Sequence, residues 1–137
     1  MNFTNAVFPG PVQVTAFFGA AEDGPFVMIN LLKFKEHAEY PDGSDTALSG
    51  RDAYRRYGAA VQACLASVGG RSLYAGAVTE LMLGEIDELW DMVALAEYPS
   101  RAAMMTMVSS PEYQAIEKHR IAGLAGQLNI RTKALGA

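Results

Sequence analysis

The chain has 137 residues, of which 50% are hydrophobic and 19% are charged, and it carries a net charge of −4 with an isoelectric point near 5.1. This composition excludes a disordered chain, and the length suits one domain whose core needs no disulfide or metal. Because the balance is acidic and no basic run occurs, we expect neither nucleic acid nor an anionic membrane as a partner.

The compartment is predicted from the cysteine count and the start of the chain. Cys64 is the single cysteine, which excludes an intrachain disulfide and suits a reducing compartment. No apolar run approaches the about 18 residues that a membrane span needs. Residues 1–21 carry no charge, but they lack the basic start and the continuous apolar stretch of a signal peptide. We therefore expect a cytoplasmic protein.

The first predicted elements are a short helix and a strand. Residues 11–20 predict an N-terminal helix, and a turn follows it. The run from Pro25 to Phe34 is nearly all apolar and is bounded by turn residues, which is typical of a strand with both faces covered. Asn30 and Lys33 are its only polar members.

A long loop and a helix come next. Residues 36–49 predict a loop of a length that is often functional in a compact domain. Ser49 then precedes Asp52 by three positions, as in a helix cap. From Tyr54 to Val68 the apolar residues recur at helical spacing, and two glycines after Val68 end the helix.

The second half predicts two strands, two helices and a final strand. The predicted elements are a strand over 71–83, an acidic turn over 84–88, a strand over 89–98, a helix that Ser100 caps, a helix that starts at Ser110-Pro111 and runs to Gly123 or Gly126, and a strand over 128–133. After the N-terminal helix the order is β-α-β-β-α-β. This order predicts a ferredoxin-like α+β fold, with one antiparallel sheet and helices on one face, in a single domain over 1–137 with a helical extension at 11–20.

The predicted sheet has more apolar surface than its helices can cover. The first and third strands are apolar on both faces, whereas the helices cover only one. Soluble monomers avoid such a patch, so we expect a homodimer in which two copies stack their sheets face to face.

Motifs that mark a known chemistry are missing. The sequence contains no phosphate loop, no dinucleotide fingerprint and no nucleophile elbow. His37 and His119 are far apart in sequence, and Asp42, Ser44 and Asp45 resemble a calcium loop only superficially. We expect no metal and no cofactor.

The last predicted helix places charges on its apolar face. Glu117 and Arg120 share that face with Tyr113, and His119 lies on its flank. In one interpretation Glu117 and Arg120 satisfy each other at the edge of the core. In the other, they border a cavity between helix and sheet with His119, which titrates near neutrality and serves as an acid or base.

Three more residues have two interpretations. Asn30 lies in a buried strand and must be hydrogen-bonded, either to a neighbouring backbone or to a ligand. Tyr54 and Tyr57 share one helix face and either pack with their hydroxyls at the rim or line a cleft with phenols.

Taken in order, several segments resemble the family catalogued as domain of unknown function 1330, over roughly Gly24 to Leu128. The matching segments are PFVMINLLKF at 25–34, Tyr54 and Tyr57, Gly69-Gly70 with Tyr74 and Gly76, Trp90-Asp91, EYPSR at 97–101, Pro111-Glu112-Tyr113, and His119-Arg120. The resemblance implies the dimeric α+β barrel fold, in which ferredoxin-like protomers pair through their sheets. The wider superfamily includes cofactor-independent monooxygenases, haem-binding enzymes, isomerases and ligand binders, so fold alone does not choose an activity. The positions that the resemblance marks are Asn30, Tyr74, Trp90, Tyr98, Arg101, His119 and Arg120.

The leading hypothesis is a homodimer that binds a small anionic or aromatic metabolite in a pocket between helices and sheet. Arg120 or Arg101 would hold an anionic group; Asn30, Tyr57 and Tyr74 would orient the ligand, and His119 would move a proton if chemistry occurs. The alternative is a non-catalytic dimer with a structural or ligand-sensing role. A third hypothesis, haem binding, would need His37 or His119 as the axial ligand.

Overall fold

A computed structural model describes residues 1–136, which form four helices and four strands. The elements are α1 (Pro11–Gly19), β1 (Phe26–Phe34), α2 (Gly50–Ser67), β2 (Arg71–Ala77), β3 (Met92–Tyr98), α3 (Arg101–Ser109), α4 (Pro111–Gly123) and β4 (Leu124–Thr132). The strands pair antiparallel in one sheet with the order β2-β3-β1-β4. The predicted ferredoxin-like α+β plan is confirmed. The connection from β3 to β4 contains two helices, α3 and α4.

Three serines start helices as the sequence predicts. The hydroxyl oxygens of Ser49, Ser100 and Ser110 accept hydrogen bonds from backbone N–H groups three residues later, at 3.0, 3.0 and 3.1 Å. Each bond satisfies a donor that a helix start leaves unpaired. These caps explain why α2, α3 and α4 begin where the sequence predicts.

The hairpin between β2 and β3 is shorter than predicted. β2 ends at Ala77 rather than at residue 83, and β3 starts at Met92 rather than at residue 89. The backbone N–H of Val78 donates to Asp91 O at 2.9 Å, which closes the ladder, and Lys33 Nζ then holds the returning chain at Leu89 O, 3.0 Å away. The apolar residues over 81–83 that suggested a longer strand are exposed.

The last strand starts earlier than predicted. β4 begins at Leu124 rather than at residue 128, directly after α4. The backbone N–H of Lys35 donates to Gly123 O at 2.8 Å, and Phe34 pairs with Leu124 past a register shift in β1. This direct passage from helix to strand places Gln127 inside the sheet.

Helices α2 and α4 approach closely at two glycines. A Cβ atom on Gly50 would overlap with Lys35 O and lie 2.7 Å from Gly123 O, and a Cβ on Gly123 would lie 2.5 Å from Gly50 O. Only glycine fits at either position. The contact holds the tyrosines of α2 beside α4.

The two faces of the sheet differ. Phe26, Met28, Leu32 and Tyr98 lie on the helix-covered face and belong to the hydrophobic clusters. The opposite face is apolar, and its residues lie outside those clusters; they include Ile29, Leu31, Tyr74, Val93, Leu95, Leu128 and Ile130. On this face Tyr74 is 59% exposed and Ile130 is 44% exposed. None of the helices described within residues 1–136 combines the length and the hydropathy of a membrane-spanning segment.

Candidate functional site

A cavity of about 690 Å³ lies between the helices and the covered face of the sheet. Its walls come from the four helices and all four strands, and most of the lining is apolar. Small-molecule sites are commonly concave, mostly apolar and about 300–1,000 Å³ in volume. We call this space the helix–sheet cavity.

Four tyrosines line the helix–sheet cavity: Tyr54 and Tyr57 from α2, Tyr98 from the end of β3, and Tyr113 from α4. The hydroxyl oxygens of Tyr57 and Tyr113 lie 3.0 Å apart and share a hydrogen bond. The rings of Tyr54 and Tyr57 have centroids 5.3 Å apart. The phenol-lined cleft, one of the two interpretations of the α2 tyrosines, is therefore what the structure contains.

The cavity keeps these four phenols protonated. Burial raises the pKa of Tyr54 to about 12 and also raises the pKa values of Tyr57, Tyr98 and Tyr113. Removing a phenolate from water is costly, so the neutral form is favoured. At neutral pH the cavity presents O–H donors.

Arg120 is the end of a hydrogen-bonded chain that crosses to the sheet. Arg120 Nη2 donates to Gln127 Oε1 at 3.0 Å and to Val7 O, and Gln127 Nε2 donates to Asn30 Oδ1 at 2.8 Å. Asn30 Nδ2 donates to Ala94 O at 3.1 Å. Asn30, Arg120 and Gln127 all line the cavity, and Gln127 is only 8% exposed. These hydrogen bonds fix the guanidinium group of Arg120 at the cavity wall.

Glu117 adds a carboxylate to the same wall. It lies one turn after Tyr113 and three residues before Arg120 on α4. Its charge is one of the factors that raise the pKa of Tyr113, after burial, whereas Arg120 lowers that pKa. The interpretation in which Glu117 and Arg120 satisfy each other is not what is found, because Arg120 instead binds Gln127 and Val7.

Of the six predicted site residues, three line the helix–sheet cavity and three lie elsewhere in the fold. Asn30, Tyr57 and Arg120 line the helix–sheet cavity. Tyr74 pairs with Leu95 on the opposite face of the sheet and is exposed.

Arg101 serves as a tether for the N-terminal helix. Its Nη1 donates to Phe17 O at 2.7 Å and its Nε to Glu22 O at 3.0 Å, and its guanidinium carbon lies 4.7 Å from the centre of the Phe17 ring. The side chain thereby holds α1 and the turn after it against the start of α3. The structure does not bring Arg101 to the cavity with Arg120.

His119 lies in a second, smaller pocket of about 250 Å³, whose other lining residues are Tyr40, Pro41, Asp42, Ser44, Asp45, Arg56 and Lys118. We call it the loop pocket. Arg56 Nη1 donates to Asp45 Oδ2 at 2.9 Å and to the Tyr40 hydroxyl oxygen at 3.2 Å, and that oxygen lies 2.7 Å from His119 Nδ1. Burial, with smaller contributions from the charges of Lys118 and Arg56, lowers the pKa of His119.

The loop over 36–49 forms one wall of that pocket. Ala38 N donates to Leu48 O at 2.8 Å, and Glu39 N donates to Ala122 O at 3.0 Å. Ala38 and Tyr40 are buried together with Ala53 and Ala122 from α2 and α4. The long loop is thus packed onto the outer side of the helices rather than over the helix–sheet cavity.

The two histidines considered as haem ligands lie away from the helix–sheet cavity. His37 lies at the surface, where its Nε2 is 3.9 Å from Glu36, and His119 belongs to the loop pocket, so neither histidine lines the helix–sheet cavity. Within residues 1–136, no group of three or more His, Cys, Asp or Glu side chains is placed to hold a metal ion.

Tyr113 and Gln127 were not among the predicted site residues, and the family resemblance marked Tyr98 without giving it a role; all three line the cavity. Tyr113, Glu117 and Arg120 recur at four- and three-residue steps, and this spacing could have indicated Tyr113. Gln127 lay outside the predicted last strand, so the sequence did not place it on the covered face of the sheet.

Sequence comparison identifies the family. The family model described as Domain of unknown function (DUF1330) matches residues 44–132. The chain belongs to this family. The predicted resemblance is confirmed, and no curated protein matches the chain.

Solved structures resemble the whole fold. The RPA0582 protein of Rhodopseudomonas palustris, described as of unknown function, is 33% identical, with a TM-score of 0.85 over 98% of this chain and 100% of that chain. The methylated RPA0582 protein gives 34% identity and a TM-score of 0.87 over 97% of each chain. A dimeric protein of unknown function with a ferredoxin-like fold, from Bacteroides fragilis, is 14% identical, with a TM-score of 0.54 over 81% of this chain and 97% of that chain. At this identity the last likeness concerns the fold alone.

Proposed function

We propose that this DUF1330 protein is a homodimer in which each protomer binds a small anionic molecule with an aromatic or other apolar part. The observation that carries the proposal is the helix–sheet cavity of about 690 Å³, in which the Arg120 guanidinium and four protonated phenols share an apolar enclosure. Asn30, Tyr57 and Arg120 are the proposed ligand-binding residues.

The donor pattern supports a ligand rich in acceptor oxygens. The bond between Tyr57 and Tyr113 uses one of their two hydroxyl protons, so the other is available to a ligand. Arg120 engages the protein through Nη2, and Nη1 and Nε make no hydrogen bond within residues 1–136. Carboxylates accept bonds from both donor types, and charge-assisted bonds of this kind are about twice as strong as neutral ones.

The apolar part of the lining supports an aromatic or branched group on the ligand. Met28, Phe34, Val61 and Leu65 contribute to the cavity wall. Burying apolar ligand surface there contributes roughly 25 cal/mol for each Å² removed from water. Because His119 lies in the loop pocket, the proposed binding site does not include it.

Binding can be tested with 3-phenylpropionate and its uncharged amide, 3-phenylpropanamide, in a thermal-denaturation assay. The acid should raise the Tm by roughly 8 °C at 100 times its Kd, and the amide by much less. Tyr57→Phe should weaken binding of the acid by up to about tenfold, since it loses one hydrogen bond of about 1.4 kcal/mol. Tyr74→Phe is the matched control and should bind as the parent does.

The opposite result would favour the non-catalytic structural dimer. If neither compound shifts the Tm at millimolar concentration and Tyr57→Phe behaves as Tyr74→Phe does, the cavity is not a site for this class of ligand. A shift that the acid and the amide share equally would contradict the assigned role of Arg120.

The homodimer proposal rests on the opposite face of the sheet. Ile29, Leu31, Val93 and Leu95 form two cross-strand pairs at its centre. The Bacteroides fragilis relative in fold is described as dimeric. Contiguous apolar patches of this kind on soluble proteins often mark interaction sites.

Light scattering tests the assembly at micromolar concentration. The parent should have twice the 14.7 kDa chain mass, and Leu31→Glu should yield folded monomer because it places a charge at the centre of the face. Gln114→Glu, on the exposed side of α4, is the matched control and should remain dimeric. A monomeric parent would contradict the proposal.

A further inference from the structure

Glu117 is the only acidic side chain among the described residues that line the helix–sheet cavity. It lies on the same face of α4 as Tyr113 and Arg120, four residues after the first and three before the second. No hydrogen bond or ion pair joins its carboxylate to another side chain within residues 1–136, and Arg120 donates through Nη2 to Gln127 and Val7 rather than to Glu117. The carboxylate is therefore available to a molecule in the cavity.

The groups around Glu117 complement a reaction that develops negative charge on oxygen. A carboxylate within reach of a bound molecule can accept a proton from it. Hydrogen-bond donors aimed at the oxygen where charge develops stabilise the transition state, and they act more strongly where water is excluded. The cavity holds such donors in Tyr54, Tyr57, Tyr98 and Tyr113, all buried or half-buried and neutral.

We propose that Glu117 is a general base that enolises a small 2-oxo acid bound in the helix–sheet cavity. The proposal rests on the proposed binding function and adds a reaction class and a residue to it. Arg120 holds the carboxylate of the substrate, tyrosine hydroxyls bind its oxo oxygen, and the apolar lining takes the group attached to C3.

The step balances without a cofactor or an oxidant. The Glu117 carboxylate takes a proton from C3 of the 2-oxo acid, and the C–H electron pair becomes the C2–C3 double bond. The π electrons of the oxo group move onto its oxygen, which accepts hydrogen bonds from the tyrosines. The protonated Glu117 then returns a proton to C3, or the enolate oxygen takes one to give the enol. Nothing is oxidised or reduced.

Phenylpyruvate in D₂O is the probe, because proton NMR follows the exchange of its C3 protons directly. With the parent protein, exchange should exceed the protein-free rate in the same buffer by about 100-fold or more, the lower range for general acid–base catalysis. Glu117→Gln should lose that excess while still binding 3-phenylpropionate. Glu112→Gln is the matched control, since Glu112 is exposed in the first turn of the same helix, and it should exchange as the parent does.

A second variant keeps the test decisive if Glu117→Gln fails to fold. Glu117→Asp retains the charge but withdraws the carboxylate by one methylene group, and it should lower the exchange rate at least tenfold. Exchange in Glu117→Gln or Glu117→Asp equal to that of the parent would overturn the role of Glu117. Saturable binding of phenylpyruvate by the parent with no excess exchange would overturn enolisation and leave the binding function standing. If neither phenylpyruvate nor 3-phenylpropionate binds, both proposals fail.

Discussion

The hydroxyl oxygen of Tyr40 lies 2.7 Å from Nδ1 of His119, and this hydrogen bond joins the loop over 36–49 to helix α4. Arg56 donates a hydrogen bond to the same oxygen, so the Tyr40 hydroxyl can use its own hydrogen to donate to the imidazole. A neutral imidazole accepts this hydrogen bond through an unprotonated Nδ1. A protonated ring carries hydrogens on both nitrogens and cannot accept a hydrogen bond. The geometry therefore favours neutral His119.

Protonation of His119 should weaken the fold as the pH falls. Burial and the nearby charges of Lys118 and Arg56 lower the pKa of His119 in the folded chain. The unfolded chain, with a histidine pKa of about 6.5, then takes up the proton first. The His119 contribution to the free energy of unfolding is fully present above that value. This contribution declines as the pH falls below about 6.5 toward the lower pKa of His119 in the folded state.

Urea unfolding at pH 8 and pH 5 measures this effect. The loss of stability between the two values should be smaller in His119→Gln than in the parent. His37→Gln is the control, since His37 is exposed and lies outside the loop pocket. An equal loss in His119→Gln and the parent would contradict the assignment.

Tyr40→Phe should destabilise the protein by about 1–3 kcal/mol, because Arg56 and His119 both lose a partner in a part-buried site. Tyr40 is 8% exposed, so its ring should stay packed after the change. The hydroxyl of Tyr74, on the opposite face of the sheet, makes no hydrogen bond within residues 1–136, so Tyr74→Phe should change stability by less than about 0.5 kcal/mol. Chemical denaturation compares the two, and equal effects would show that the hydroxyl of Tyr40 is not structural.

Gly123→Ala should destabilise the fold by about 1–3 kcal/mol or more, because its methyl group would lie 2.5 Å from Gly50 O and 2.9 Å from Tyr54 N. Gly58→Ala is the matched substitution in α2, where a Cβ meets nothing within 4 Å. It should stabilise the helix by about 0.5–1 kcal/mol. Thermal unfolding of both variants checks the contact, and a neutral Gly123→Ala would refute the close approach of α2 and α4.

Gln127→Leu should cost about 1–3 kcal/mol, since it removes the partner of both Arg120 and Asn30 in a buried site. The same substitution at the exposed Gln114 should be nearly neutral. Gln127→Leu should also weaken binding of 3-phenylpropionate, because the guanidinium group loses its fixed position. Retention of both stability and binding would contradict the hydrogen-bonded chain.

Local signals in the sequence predicted the parts of this fold that depend on neighbouring residues. Ser49, Ser100 and Ser110 marked the helix starts because a cap acts within three residues. The two faces of β1 followed from its apolar run. Both are consequences of spacing along the chain.

The rest of the site depends on contacts between distant segments. The partner of Arg120 is Gln127, and the two meet only because α4 runs directly into β4 without a turn. His119 lies on the flank of α4, as predicted, but the path of the loop over 36–49 decides that Tyr40 is its neighbour. The cavity phenols come from three elements, and no spacing rule joins Tyr98 to Tyr57.

The chain itself offers the most direct test of ligand binding in the helix–sheet cavity. It has six tyrosines, and four of them line the cavity, whereas Tyr40 and Tyr74 lie elsewhere. NMR of protein labelled with ¹³C at tyrosine Cζ, titrated with 3-phenylpropionate, should show saturable shifts for Tyr54, Tyr57, Tyr98 and Tyr113. The signals of Tyr40 and Tyr74 should stay in place. A titration that moves none of the six signals, or that moves only Tyr40 or Tyr74, would contradict binding in the cavity.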